Sequence, residues 1–141
     1  MAAEWLRSRI ANGRGDRLVI CPGTQNAIFN LLKTLMSPGD VVLTEALTYP
    51  GIRAAAGYAG VRLVGVPMDE HGVVPTALDA ACRRHAPKAV YLVPTIHNPT
   101  TATMPPCRRE EVAEIVRRND VLLLEDDAYG PLEPDAVPLA H

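Results

Sequence analysis

Short apolar runs alternate along this chain with longer segments of helical periodicity. Five runs are predicted to form strands, at residues 17–21, 41–45, 61–66, 89–93 and 121–125. Most of them are continuously apolar rather than alternating, as is typical of parallel strands that helices cover on both faces.

Four segments between these runs are predicted to form helices, at residues 24–36, 49–60, 75–85 and 108–119. The first has the clearest helical periodicity, and Thr24 is predicted to cap its start. Its apolar face comprises Ala27, Ile28, Leu31, Leu32, Leu35 and Met36. The alternation of strand and helix predicts an α/β fold with three αβα layers and a mainly parallel sheet.

Composition and charge exclude several classes of function. The chain has 141 residues, which suits one domain, and a formal net charge of −2 gives it no electrostatic preference for nucleic acid or an anionic membrane. No apolar run is long enough to span a bilayer. Three cysteines without CxxC spacing favour a reducing compartment. We therefore expect a cytoplasmic protein, with no nucleic-acid contact by this segment and no membrane association.

Candidate binding residues follow the predicted strands, because open α/β sheets bind ligands at the carboxyl ends of their strands. Gly23 and Thr24 stand where the first run turns into a helix. Glycine allows close approach of the backbone, and the free N–H groups of a helix start suit a phosphate. A simple helix cap with a turn glycine explains the same pattern and is, for this stretch alone, the commoner case.

Polar and aromatic residues follow the second and fourth runs. Tyr49 offers a flat apolar face to a ring-shaped ligand. His97, Asn98 and Thr100 are interleaved with prolines that stiffen the loop. Each also has a structural interpretation: Tyr49 stands beside a turn proline, Asn-Pro is a turn signal, and His97 is expected to be an exposed loop residue.

Three adjacent carboxylates, Glu125, Asp126 and Asp127, follow the fifth run, and Tyr129 comes shortly after them. A buried carboxylate is costly unless a cation or a hydrogen-bond donor meets it. The alternative is that the acids fan out into solvent, with Asp127 capping a turn. Together with the preceding motifs, a strand-end acid predicts a phosphorylated aromatic ligand that carries a ring nitrogen.

Four motifs, "PGTQNAI", "LTYPG", "HNPT" and "EDDAYG", in this order and spacing, resemble the fold type I pyridoxal-phosphate enzymes of aminotransferase class I/II. The resemblance covers about residues 16–131. "NPTTATMP" together with "EDDAYG" is most similar to the aminotransferase-like domain of GntR/MocR-type transcriptional regulators and its enzyme relatives. The fold that the resemblance implies is the large domain of a fold type I pyridoxal-phosphate-dependent transferase.

The cofactor that the resemblance implies is pyridoxal 5'-phosphate. Gly23, Thr24 and Gln25 match the family's phosphate-binding turn. Tyr49 matches the aromatic residue that stacks on the pyridine ring.

Three further residues match family positions around the same ring. Asn98 and Tyr129 match residues that face its phenolic oxygen, and Asp126 matches the aspartate that pairs with its protonated nitrogen. A protonated ring is the better electron sink. The pyridinium is thus the cation that a strand ending in acid is expected to meet.

Two features depart from the family pattern. Thr101 follows "NPT" where many aminotransferases have glycine, which favours the regulator branch. The chain has only two lysines, Lys33 and Lys88, and neither matches the Schiff-base lysine, so we expect no catalytic residue within the chain. Residues 1–141 are expected to be a single partial domain, the central part of the cofactor-binding large domain, without the small C-terminal domain and without a DNA-binding domain.

Two functions remain open. The intact protein is either an aminotransferase that transfers an amino group between an amino acid and a 2-oxo acid, expected as a homodimer, or a regulator whose effector domain holds the cofactor. A dinucleotide-binding site is excluded, because "NGRGD" lacks the third glycine and precedes the strand. Cys82 and His85 are expected to pack on a helix rather than to bind metal.

Overall fold

The computed structural model describes residues 4, 9, 18–133 and 135–139. Its helices and strands follow in the order α1 (Thr24–Leu35), β1 (Val41–Glu45), α2 (Pro50–Ala59), β2 (Arg62–Val66), β3 (Met68–Asp69), β4 (Gly72–Val73), α3 (Pro75–His85), β5 (Ala89–Leu92), α4 (Pro106–Arg118) and β6 (Leu122–Glu125), and a 3-10 turn (Gly130–Leu132) ends them. Four of the five predicted strands and all four predicted helices are confirmed, with bounds that differ by at most two residues.

Four parallel strands form the main sheet in the order β2-β1-β5-β6. The chain leaves β1 to form β2 on one side and then returns to form β5 on the other. The strand order therefore reverses between β1 and β5. In an open α/β sheet such a reversal opens a crevice at the carboxyl ends of the two strands.

Helices cover both faces of the sheet and confirm the three-layer αβα arrangement. On one face, α1 and α2 pack Ile28, Leu32 and Ile52 against the sheet. On the other, α3 and α4 pack Leu78 and Val112 against it. All five residues of β1 are buried, as expected of a central strand covered on both faces.

The apolar face of α1 is narrower than its periodicity predicts. Ile28, Leu32 and Met36 are buried, whereas Leu31 and Leu35 are more than 40% exposed, at 43% and 42%. The helix presents a single stripe to the sheet, and the two exposed leucines lie beside that stripe.

The prediction of a first strand at residues 17–21 is wrong for residues 18–21. Residue 17 lies outside the described residues. Within the part of the chain that the structure describes, residues 18–21 pair with no strand. Val19 is 79% and Ile20 82% exposed. An apolar run becomes a stable strand only beside a hydrogen-bonding neighbour, and periodicity does not report whether a neighbour is present.

A short antiparallel hairpin of β3 and β4 was not predicted. Arg108 holds it in place through two hydrogen bonds to Asp69, of 3.1 and 3.0 Å, and one of 3.0 Å to the Val73 carbonyl. Strands of two residues are too short to show a periodicity.

Candidate functional site

The candidate residues gather at the carboxyl edge of the sheet. Asp126 directly follows β6, Tyr49 lies between β1 and α2, and Asn98 lies in the turn after β5. The strands are parallel, so their carboxyl ends lie side by side at one edge. Tyr49 and Asn98 flank the crevice between β1 and β5. The sequence pattern does not indicate that these two strands are neighbours in the sheet.

The predicted phosphate turn begins α1, but its capping differs from the prediction. Gly23 is the N-cap, with φ 91° and ψ 160°, a conformation that favours glycine. Thr24 is the first helical residue, and no described side chain makes a capping hydrogen bond there. The predicted Thr24 cap is therefore wrong, because its position is one residue too late to cap. Thr24 is exposed at the helix start, where N–H groups lack helical partners.

Gln25 joins this turn to the aromatic residue. Its amide nitrogen donates a hydrogen bond of 3.1 Å to the carbonyl of Gly51, in the first turn of α2. A Cβ atom at Gly51 would clash with Gln25 Oε1 and with the ring of Tyr49. The two helix starts thus meet closely, and glycine is needed where they meet.

The three adjacent carboxylates do not fan out into solvent. Glu125 accepts hydrogen bonds of 3.1 Å from the Leu139 backbone and lies 4.0 Å from Nη1 of Arg109. Asp127 forms an ion pair of 2.6 Å with Arg9, and this hydrogen bond raises the pKa of the Arg9 guanidinium. Two of the three acids therefore meet an arginine.

Asp126 meets neutral donors instead. Its side chain accepts a hydrogen bond of 2.6 Å from the hydroxyl of Tyr91 and one of 3.2 Å from the backbone N–H of Ala128. Asp126 is only 8% exposed, and among the described residues no cation pairs with it. This carboxylate is fixed in place, and the described part of the chain offers it no counter-charge.

Tyr91 is a site residue that sequence reasoning missed. It lies on β5, is 2% exposed, and pairs in register with Leu124 on β6. Burial, and then the nearby Asp126 carboxylate, raise the pKa of its hydroxyl, so the hydroxyl stays protonated and donates. A tyrosine in an apolar strand could have been a signal, because a buried hydroxyl needs a partner.

Asn98 and Tyr129 occupy the loops that follow β5 and β6. Asn98 is half-buried, and the peptide bond to Pro99 is cis. Tyr129 is 39% exposed and precedes the 3-10 turn. The structure brings both to the predicted edge of the sheet.

His97 is buried, so the expectation of an exposed loop residue is wrong. It is 2% exposed, and its ring lies toward Glu45, which is 1% exposed and was not predicted as a site residue. Burial raises the pKa of Glu45 to about 7 and lowers the pKa of His97. His97 lies in a proline-rich loop, and this loop folds back over the end of β1.

The described part of the chain contains no group of three or more histidine, cysteine or acidic side chains that could hold a metal ion. Cys82 is buried on α3, and His85 is half-buried at the end of that helix. None of the described helices is both long enough and apolar enough to cross a membrane.

Known proteins resemble this chain in sequence and in fold. The family "Aminotransferase class I and II" matches residues 2–140. The chain belongs to this aminotransferase family. It is 39% identical to "Aminotransferase swnA" of Metarhizium robertsii over 121 residues, covering 81% of this chain and 24% of that protein. It is 34% identical to "Uncharacterized HTH-type transcriptional regulator YdeF" of Bacillus subtilis over 123 residues, covering 87% of this chain and 27% of that protein.

A solved aminotransferase has the same fold. LysN, the α-aminoadipate aminotransferase of Thermus thermophilus, is complexed with N-(5'-phosphopyridoxyl)-L-leucine and is 31% identical, with a TM-score of 0.81. The match covers 89% of this chain and 31% of LysN. The fold type I assignment of this aminotransferase-like chain is thereby confirmed. The chain spans about a quarter to a third of the length of these relatives.

Proposed function

We propose that this chain is part of the cofactor-binding domain of a pyridoxal-phosphate-dependent aminotransferase. The observation that carries the proposal is Asp126, a buried carboxylate that is held by Tyr91 and has no cation among the described residues. A buried charge without a partner is costly. A protonated pyridine nitrogen at this position would supply the missing positive charge and would itself stay protonated beside the carboxylate.

The start of α1 would hold the phosphate. The open backbone of Gly23, the N–H groups of the first turn and the positive end of the helix dipole all favour an anion. Thr24 would add its hydroxyl and Gln25 its amide. Tyr49 would lie against the pyridine ring, since its own ring is fixed beside Gly51.

The remaining residues would orient the ring. Asn98 and Tyr129 would hold its phenolic oxygen from the loops after β5 and β6. Tyr91 would keep the Asp126 carboxylate turned toward the ring nitrogen. When bound, the cofactor supplies an electron sink for bond breaking at the α-carbon of an amino acid.

The wider function follows from the same proposal. The intact protein would transfer an amino group between an amino acid and a 2-oxo acid in the cytoplasm, as a homodimer. Residues 1–141 would be the central part of its large domain. The lysine that binds the cofactor would lie in another part of the intact protein, because Lys33 and Lys88 stand at the wrong edge of the sheet.

A second candidate function is the effector domain of a GntR/MocR-type transcriptional regulator. Two observations favour it: the similarity to an HTH-type regulator and Thr101 after "NPT". The cofactor site would then report its occupancy to a DNA-binding domain. Transaminase assays of the intact protein, beside DNA-binding assays with and without cofactor, separate the two functions.

The proposed role of Asp126 is tested by a matched pair of substitutions in the intact protein. We expect Asp126→Asn to weaken pyridoxal-phosphate binding at least about tenfold, since one lost charge contact of about 1.4 kcal/mol has that effect. Asp127→Asn weakens the part-buried pair with Arg9 instead, so it should lower stability and leave the affinity for pyridoxal phosphate nearly unchanged. Cofactor titration by absorbance measures both affinities. Equal losses in the two variants would contradict the assignment.

A further inference from the structure

Two buried polar side chains, Glu45 and His97, lie beside the proposed cofactor site. Neither of them is among the residues proposed to hold the cofactor. We propose that they are a positioning pair, in which the Nε2 proton of a neutral His97 is directed at the Glu45 carboxyl group and thereby fixes the turn that presents Asn98. The functional part of this inference, the placement of Asn98 toward the cofactor, rests on the proposed function.

Glu45 stands at the crevice where the strand order reverses. It is the last residue of β1, and its Oε1 atom accepts a hydrogen bond of 3.1 Å from the backbone N–H of Val93, just after β5. The side chain thus ties together the two strand ends that flank the crevice. With a side chain that is 1% exposed, Glu45 is an acid at the floor of the site rather than on its rim.

The hydrogen bonds of His97 determine which of its ring nitrogens carries the proton. The backbone N–H of Thr100 lies 3.4 Å from Nδ1, and the Thr100 hydroxyl lies 2.8 Å from the same atom. A backbone N–H can only donate, so Nδ1 accepts. In the neutral imidazole the proton is then on Nε2.

Nε2 faces an acceptor that suits this tautomer. It lies 3.9 Å from Oε1 of Glu45. Among the described residues, Nε2 of His97 and Oε2 of Glu45 are buried and have no hydrogen-bond partner. Buried polar atoms are nearly always paired, and a small closure of the crevice would bring these two groups into contact.

The position of His97 controls the turn that follows it. Its backbone N–H donates to the Ala102 carbonyl at 2.8 Å, and its own carbonyl accepts from Thr101 at 2.6 Å. The backbone and the ring of His97 therefore both hold the turn in which Asn98 is the next residue. A ring oriented by Glu45 would therefore add a further constraint on this turn and on the position of Asn98.

The first test measures the tautomer in the intact protein without cofactor. Nitrogen-15 labelling of histidine and NMR should show a neutral His97 with its proton on Nε2. A proton on Nδ1, or a charged ring at neutral pH, would overturn the pair. This measurement needs no substitution and no bound cofactor, so it decides the pair even if the proposed function fails.

The second test uses three substitutions in the intact protein. Glu45→Met removes both oxygens at similar size, and we expect it to shift the Asn98 amide signal and to weaken pyridoxal-phosphate binding about tenfold, on the order of one lost buried hydrogen bond. Glu45→Gln keeps an acceptor and should restore both readouts. Asp79→Asn is the matched control: Asp79 is a buried acid paired with Arg118, and its loss should affect stability alone.

The outcomes separate the two proposals. The pair and its role in cofactor binding are supported if Glu45→Met binds pyridoxal phosphate more weakly than Asp79→Asn does. Glu45→Gln should then bind it as tightly as the parent protein. An unchanged Asn98 signal in Glu45→Met overturns the positioning role. If the parent protein binds no pyridoxal phosphate, the proposed function fails, and the tautomer and the Asn98 signal alone decide the pair.

Discussion

Glu125, Asp126 and Asp127 are adjacent in the chain, but their side chains meet different partners. Glu125 and Asp127 each lie near an arginine, and Asp126 meets a tyrosine hydroxyl. The sequence indicated that one of the acids has a function, and the family motif singled out Asp126. The contacts give that choice a physical reason, since Asp126 is the one of the three whose charge the described residues leave uncompensated.

At the residue scale, Glu45 should make stability depend on pH. Burial raises the pKa of its carboxyl group to about 7 in the folded protein, and the charge of Asp126 adds to this effect. The neutral form is therefore favoured in the folded state. Its stabilisation is fully present below the ordinary value of 4.5 and is lost as the pH rises through about 7.

We expect the free energy of unfolding of the parent, relative to Glu45→Gln, to fall by up to about 3 kcal/mol between pH 4.5 and pH 8. Urea unfolding of the intact protein across this range measures the difference, and other titrating groups cancel in the comparison. Parallel pH profiles for the two proteins would show that Glu45 titrates normally.

At the scale of elements, the starts of α1 and α2 form one unit. Gln25 reaches across to the Gly51 carbonyl, and Tyr49 lies against the same glycine. In the sequence these residues belong to two separate motifs. The contact between them depends on two helices that pack side by side on the same face of the sheet, which no local pattern reports.

Replacement of Gly51 should disturb this unit, and Gly57 in the same helix offers a matched control. A Cβ atom at Gly51 would collide with Gln25 and Tyr49, so Gly51→Ala should cost about 1–3 kcal/mol of stability and weaken cofactor binding at least about tenfold. At Gly57 no described atom lies within 4 Å, and Gly57→Ala should stabilise α2 by about 0.5–1 kcal/mol. Unfolding and cofactor titration measure both effects. Equal affinities of Gly51→Ala and Gly57→Ala for pyridoxal phosphate would show that the contact between the two helix starts is not needed for cofactor binding.

Thr24 provides a second prediction at this scale. Because it does not cap α1, Thr24→Ala should change stability by less than about 0.5 kcal/mol while still weakening binding of pyridoxal phosphate. Thermal unfolding with and without cofactor separates the two effects. A loss of about 1 kcal/mol without cofactor would mean that the residue caps the helix after all.

At the scale of the whole molecule, the order of the strands determines where chemistry is possible. The parallel sheet β2-β1-β5-β6 places the ends of β1, β5 and β6 at one edge. Lys33 lies in the last turn of α1, and Lys88 directly precedes β5. Both lysines therefore stand near the opposite, amino edge of the sheet.

This placement predicts that neither lysine bonds the cofactor stoichiometrically. A lysine amine must lie within bonding reach of the cofactor's aldehyde, with surroundings that activate it. Residues 1–141 should be incubated with pyridoxal phosphate, reduced with borohydride and mapped by mass spectrometry, and we expect only partial labelling of exposed amines. Stoichiometric label on Lys33 or Lys88, together with transaminase turnover, would contradict the assignment of the site.

The sequence by itself determined the alternation of strands and helices, the three-layer class and the motifs at the strand ends, because apolar periodicity and turn residues act over a few neighbouring positions. Tertiary structure alone decided that β1 and β5 are neighbours, that Tyr91 holds Asp126, and that His97 is buried against Glu45. It also decided that residues 18–21 pair with no strand among the described residues. Each of these facts depends on groups far apart in the chain, because pairing and burial are set by which segments pack together.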